Sequence, residues 1–135
     1  MVALTVVWFS VGVTFADWYT SDYINSINIT GTSSASYPPG GSQQGASYSS
    51  AASTIDYIYV HNMGKQNCDG TVHTAWDTGW LYNPNSTNVQ ASGSAGSVCT
   101  GNSYHYYFTS GEHQWWVGST GKSGTSCASV AGTGC

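Results

Sequence analysis

The side chains of this chain best suited to acid–base chemistry are a few scattered carboxylates and four histidines, and no recognisable motif places them. A glycosidase would need two carboxyl groups held roughly 5–10 Å apart. Asp56 falls in an expected strand, while Asp69, Asp77 and Glu112 fall near turn signals. Their spacing selects no pair, and turn or cap roles are the expected ones. His61, His73, His105 and His113 form neither His-x-His nor His-Glu-x-x-His, so no metal site and no cofactor is expected. No Gly-x-Ser-x-Gly elbow frames any of the many serines. Gly121-Lys122-Ser123-Gly124 lacks the upstream glycine of a phosphate loop, since position 116 is Trp. Catalysis is therefore not expected.

The aromatic residues are the one surplus. Trp76, Trp80, Trp115 and Trp116 gather in the second half of the chain with Tyr82, Tyr104, Tyr106 and Tyr107; Trp76, Trp80, Tyr104, Tyr106, Trp115 and Trp116 are the candidate platform. Adjacent Trp115 and Trp116 point to opposite faces of a strand, so one of them faces outward. Exposed indole and phenol rings make a stacking platform for the apolar C–H faces of sugar rings. Carbohydrate is thus a candidate partner, against the alternatives that both sheet faces are covered or that the rings form a subunit contact.

Such a platform needs a rigid support. Cys68, Cys99, Cys127 and Cys135 are an even set whose spacings contain no Cys-x-x-Cys pair, which points to two disulfides and an oxidising compartment rather than zinc. Three pairings are open. Cys68–Cys99 with Cys127–Cys135 is favoured, because the second pair closes a short C-terminal loop. Asn28-Ile29-Thr30 and Asn85-Ser86-Thr87 permit N-glycosylation at Asn28 and Asn85.

Only 6% of the residues are charged and the net charge is −4, with no basic cluster. Nothing could neutralise phosphates, so nucleic acid is excluded as a partner. Leu, Ile, Val and Phe number 21, but Tyr and Trp add 16, enough for an aromatic-rich core. Residues 1–16 are almost wholly apolar: either a signal peptide or a retained strand in which Val7, Phe9, Val11, Val13 and Phe15 line one face. The run is too short for a transmembrane helix.

Residues 17–135 read as one domain. Tyr23–Thr30 and Thr54–His61 alternate as strands, Thr71–Trp76 and Trp80–Tyr82 are shorter runs, and Val89 and Ala91 mark a weak edge. Residues 31–53, rich in Ser and Gly, read as a flexible loop. Ser110-Gly111 reads as the turn of a hairpin between Ser103–Thr109 and Glu112–Ser119. No helical periodicity is present. The expected fold is an all-β, disulfide-braced antiparallel β-sandwich, immunoglobulin-like, with a jelly roll as the alternative. The expected function is a secreted, non-enzymatic structural or adhesive protein at the cell surface. It would assemble with copies of itself or other surface proteins, as in a filament joined through its N-terminal strand. A lectin-like glycan-binding module is the alternative, and a small secreted toxin or inhibitor shares the same composition.

Overall fold

Three two-residue turns set the topology. Asn25 (φ 47) and Ser26 (φ 66) join Ile24 to Ile27, and Asp69 (φ 53) and Gly70 (φ 87) join Cys68 to Thr71. Positive φ at both central positions matches the twist of the flanking strands. Gly118 (φ 57) opens the third turn, between Val117 and Thr120. The computed structural model describes residues 13–14, 16–37, 41–100, 105–130 and 135. Among these, eight strands and no helix form: β1 Val13–Thr14, β2 Ala16–Trp18, β3 Thr20–Ile24, β4 Ile27–Ser36, β5 Gln43–Cys68, β6 Thr71–Ala95, β7 His105–Val117 and β8 Thr120–Val130.

All strand pairs are antiparallel and belong to one sheet. The long β5–β6 hairpin is its spine. Between the pairs Ser50↔Asn88 and Ile55↔Ser86, β5 spends four residues where β6 spends one. An insertion of this kind bends a strand sharply. Before the bend, β5 pairs with β4; after it, the same edge pairs with β7. The sheet thus doubles over until β4 lies against β8. β1 pairs with β4 and β2 with β8, so the short bridge from Val13 to Trp18 brings the sheet nearly to a closed barrel. This is an all-β antiparallel fold as expected, but one curled sheet. Its strand order does not establish the immunoglobulin-like or jelly-roll arrangement.

The interior has two kinds of filling. Ile24, Ile29, Ile55, Ile58, Val60, Val89, Ala91 and Trp115 form an apolar cluster, and the Trp115 indole N–H donates to the Ser50 carbonyl at 3.0 Å. Beside it lies a polar seam of Ser33, Ser47, Ser49, Asn62, Thr109, His113 and Ser126, all buried.

The seam corrects two expectations. Residues 31–53 are largely strand, not loop, because Ser33, Ser47 and Ser49 are themselves interior residues. Ser110-Gly111 is not a turn, since β7 runs unbroken through it. Gly111 is glycine because a Cβ there would lie 2.5–2.8 Å from the hydroxyls of Ser47, Ser33 and Ser126. Likewise Thr71 to Ala95 is one strand, with Gly79 (φ 64) and Asn85 (φ 48) taking up its irregularities.

Cys68–Cys99 and Cys127–Cys135 are both formed, with Cα atoms 5.5 and 6.0 Å apart. Closing the 31-residue separation of the first stabilises the fold by roughly 3–4 kcal/mol in the chain-entropy model.

Candidate functional site

Past the bend, β6, β5, β7 and β8 lie side by side, and alternation sends every second residue outward. The register aligns Pro84–Tyr57–Trp116–Gly121 in one row, Tyr82–Tyr59–Gln114–Ser123 in the next and Trp80–His61–Glu112–Thr125 in the third. Inward neighbours Ile58, Val60, His113 and Trp115 are essentially sealed, whereas Tyr57, Tyr82, Trp80 and Trp116 keep 46, 57, 43 and 38% of their surface exposed. The rings support one another. Tyr59 stacks on Tyr82 with centroids 5.3 Å apart and meets Trp80 edge-on at 6.5 Å, and Tyr57 lies 6.3 Å from Tyr59. Trp116 lies across β8 at Gly121, where a Cβ would come within 2.8 Å of the indole. Glycine there lets the indole lie flat.

At one end of this aromatic face, His61 is clamped between two acids. Its Nε2 is 2.6 Å from Asp77 Oδ1 and its Nδ1 is 3.0 Å from Glu112 Oε2. Asp77 reaches it because Thr78 and Gly79 bulge opposite Asn62, and the Gly79 N–H donates back to Asp77 Oδ1 at 2.8 Å. Burial opposes charge on His61, but hydrogen bonds and attraction from Asp77 and Glu112 outweigh it, so the imidazole pKa is raised. The Gly79 N–H and the His61 imidazole together hold Asp77 below the usual carboxylate range. Trp80 covers the cluster, its ring centroid 5.4 Å from that of His61.

Next to Trp80 lies a depression of about 310 Å³, lined by Trp80, Glu112, Gln114, Ser123 and Thr125 over a floor of His113 and Gly124. It offers one indole, one carboxylate, one amide and two hydroxyls. A larger hollow of about 520 Å³ lies over β4, β5 and β6, lined by Ser34, Ser36, Gln44, Ala46, Ser92 and Ser94. It has no aromatic or charged wall.

On the inner side of the same strands, His113 sits in a chain of hydrogen bonds that the partners orient. Ser49 Oγ donates to the Tyr59 carbonyl at 2.8 Å, so it accepts the His113 Nδ1–H at 2.7 Å. His113 Nε2 then accepts from Ser126 at 2.7 Å, Ser126 from Ser33 at 2.7 Å, and Ser33 from Ser47 at 2.8 Å. Ser47 accepts from Asn62 Nδ2 at 2.8 Å, and Asn62 Oδ1 accepts the Trp76 indole N–H at 2.7 Å. Every donor points the same way, which requires a neutral His113. Burial pushes its pKa down to about 4. The seam holds the fold together and is closed to ligands.

The structure separates the aromatic residues singled out in the sequence. Trp80 and Trp116 stand on the outer face. Trp115 is not available to a ligand, being turned into the apolar cluster at 1% exposure. Trp76 is half-buried against Gly64 and Gly93. Tyr106 is half-buried on β7 and accepts a hydrogen bond from Asn67. Tyr104, Val7, Phe9, Val11 and Phe15 lie outside the described residues; Val13 pairs with Ser36 in β1. Asn28 is half-buried and Asn85 is exposed. His105 opens β7 opposite Cys68 and so shares a strand with His113, while His73 is exposed. Among the described residues no three His, Cys, Asp or Glu side chains are grouped to hold a metal ion. Tyr57 and Tyr59 belong to the platform with Tyr82, although the late aromatic cluster does not include them. Their signal was the split of Tyr57-Ile58-Tyr59-Val60 into phenols on one face and aliphatics on the other. Compared with known proteins, the chain matches no family model, no curated protein and no solved structure.

Proposed function

We propose that this protein is a non-enzymatic extracellular module that binds glycans on the outer face of β5, β6 and β7. The observation that carries this reading is the array of Tyr57, Tyr82, Trp80 and Trp116, whose rings remain exposed in adjacent rows of one sheet around the half-buried Tyr59. Contiguous exposed aromatic surface of this kind marks an interaction site. Its neighbours Gln114, Ser123 and Thr125 give sugar hydroxyls partners at the edge of the stacked rings. Two disulfides suit a protein matured in an oxidising compartment and secreted. The test is retention on a panel of insoluble polysaccharides. Wild type is expected to be held by at least one of them, and Tyr59→Ala or Trp116→Ala to lose that retention at least tenfold while still unfolding cooperatively. Undiminished retention by both variants would sink the reading.

A second reading has its own support. Among the described residues, the segment that nearly closes the barrel makes four register pairs with the rest of the sheet, Val13↔Ser36, Thr14↔Ala35, Ala16↔Ala128 and Trp18↔Cys127. The slot between β4 and β8 would accept the same strand from a neighbouring copy, building a filament or adhesive surface layer by strand addition. Particle size separates the two: a monomer at high concentration favours the glycan module, and a ladder of assemblies favours the subunit.

A further inference from the structure

The depression beside Trp80 differs from the flat rows next to it in carrying a charge. Glu112 uses Oε2 to receive the His61 N–H, and its other oxygen has no hydrogen-bond partner among the described residues. The surrounding groups are the Trp80 indole, the Gln114 amide and the Ser123 and Thr125 hydroxyls. The chain contains no arginine. Its two lysines are engaged elsewhere, Lys65 donating to Thr74 Oγ1 at 2.8 Å and Lys122 to Asp22 Oδ2 at 2.8 Å. Asp77, on the far nitrogen of His61, adds a second carboxylate to the same cluster.

An acidic sugar would meet the exposed Glu112 carboxylate, while the one nearby cation, His61, is already held between Asp77 and Glu112. A ring bearing an ammonium group would find a carboxylate for a charge-assisted hydrogen bond, an indole face that attracts cations, and hydroxyl partners for the remaining ring oxygens. Acetylating the amine would remove the charge that the carboxylate recognises.

We propose that this depression recognises the free amino group of a deacetylated amino-sugar polymer, with Glu112 as its partner and Trp80 stacking on the ring. This rests on the glycan-binding reading above and specifies its ligand class.

The experiment is retention of the full chain on cross-linked chitosan, chitin and cellulose, at a pH where the chitosan amine is charged and in near-physiological salt. Wild type should be held on chitosan at least about tenfold more tightly than on cellulose, the scale of one charge-assisted bond. Glu112→Gln keeps the side-chain shape and still accepts from His61. It should bring retention on chitosan down to the level on cellulose, with cooperative melting kept at a slightly lower temperature because the His61 ion pair is weakened. Asp69→Asn, which alters a remote exposed carboxylate in the β5–β6 turn, should change neither. Equal losses in Asp69→Asn and Glu112→Gln would mean diffuse attraction between an acidic protein and a polycation, and would overturn the proposal. Equal or tighter retention on cellulose or chitin would overturn it and leave the glycan-binding reading standing. Retention on none of the three would remove the amino-sugar assignment, and a wider panel that also failed would remove the glycan reading itself.

Discussion

His61 and His113 lie one rung apart on paired strands, since His61 sits opposite Glu112 and His113 opposite Val60. They face opposite sides of one sheet, and their surroundings pull them in opposite directions. His113 is sealed among hydroxyls that require it neutral, and its pKa falls. His61 lies between two carboxylates half open to water, and its pKa rises. The same division runs through the neighbouring residues. Inward go Ile58, Val60 and Trp115; outward go Tyr57, Tyr59 and Trp116. The inner face spends its aromatic and polar groups on the fold. The outer face leaves comparable groups exposed, and exposure of so many rings is what a ligand site requires.

The sharpest way to break this comparison is to truncate the adjacent indoles in turn. Trp115→Ala empties a sealed position and removes the indole bond to the Ser50 carbonyl, so a loss of roughly 3–5 kcal/mol is expected in urea unfolding. Trp116→Ala removes a ring already open to solvent and should cost about 1 kcal/mol or less. Equal losses would mean that the outer rings are structural after all.

A somewhat smaller effect separates the histidines by pH. His113 binds its proton more readily unfolded, near 6.5, than folded, near 4. Its contribution is fully present above about pH 6.5 and is lost as the pH falls through the folded value of about 4. That amounts to on the order of 3 kcal/mol. Protonating Nε2 would also turn the serine chain around and leave the Ser47 hydroxyl without an acceptor. His61 has the opposite sign: its contribution is complete below about pH 6.5 and fades as the pH rises through its raised folded pKa. Ring-proton titration by NMR should therefore show His61 changing above the ordinary histidine range and His113 unchanged until strongly acidic pH. Two histidines titrating together would contradict the opposed environments.

Part of this was legible in the residues. Thr54 to His61 alternates cleanly and is strand, and the favoured cysteine pairing is the one formed. Period two also required Trp115 and Trp116 to diverge, although it could not say which turned inward. What stayed hidden has one physical cause. Ser and Gly are read as loop because they are polar or conformationally free, yet here the doubled sheet packs so tightly that little else fits. Gly31 faces the His113 ring and Gly45 faces Thr109, each closer than a Cβ would allow. A serine-lined interior looks in sequence like a linker, which is why residues 31–53 read as loop and Ser110-Gly111 as a turn. The His61 clamp was illegible for a different reason: Asp77 arrives through a bulge at Thr78-Gly79, and bulges shift register without a reliable local signature.

The claim that one face of the sheet folds the protein and the other binds is tested most directly by the indole N–H signals of the tryptophans. They would be followed by NMR as soluble chitosan and cellulose oligosaccharides are added to the intact protein. Trp80 and Trp116 should shift progressively and saturate, while Trp76 and Trp115, whose N–H groups are committed to Asn62 and Ser50, should hold their positions. Trp80 and Trp116 unmoved at saturating oligosaccharide, or shifts confined to the inner pair, would contradict it.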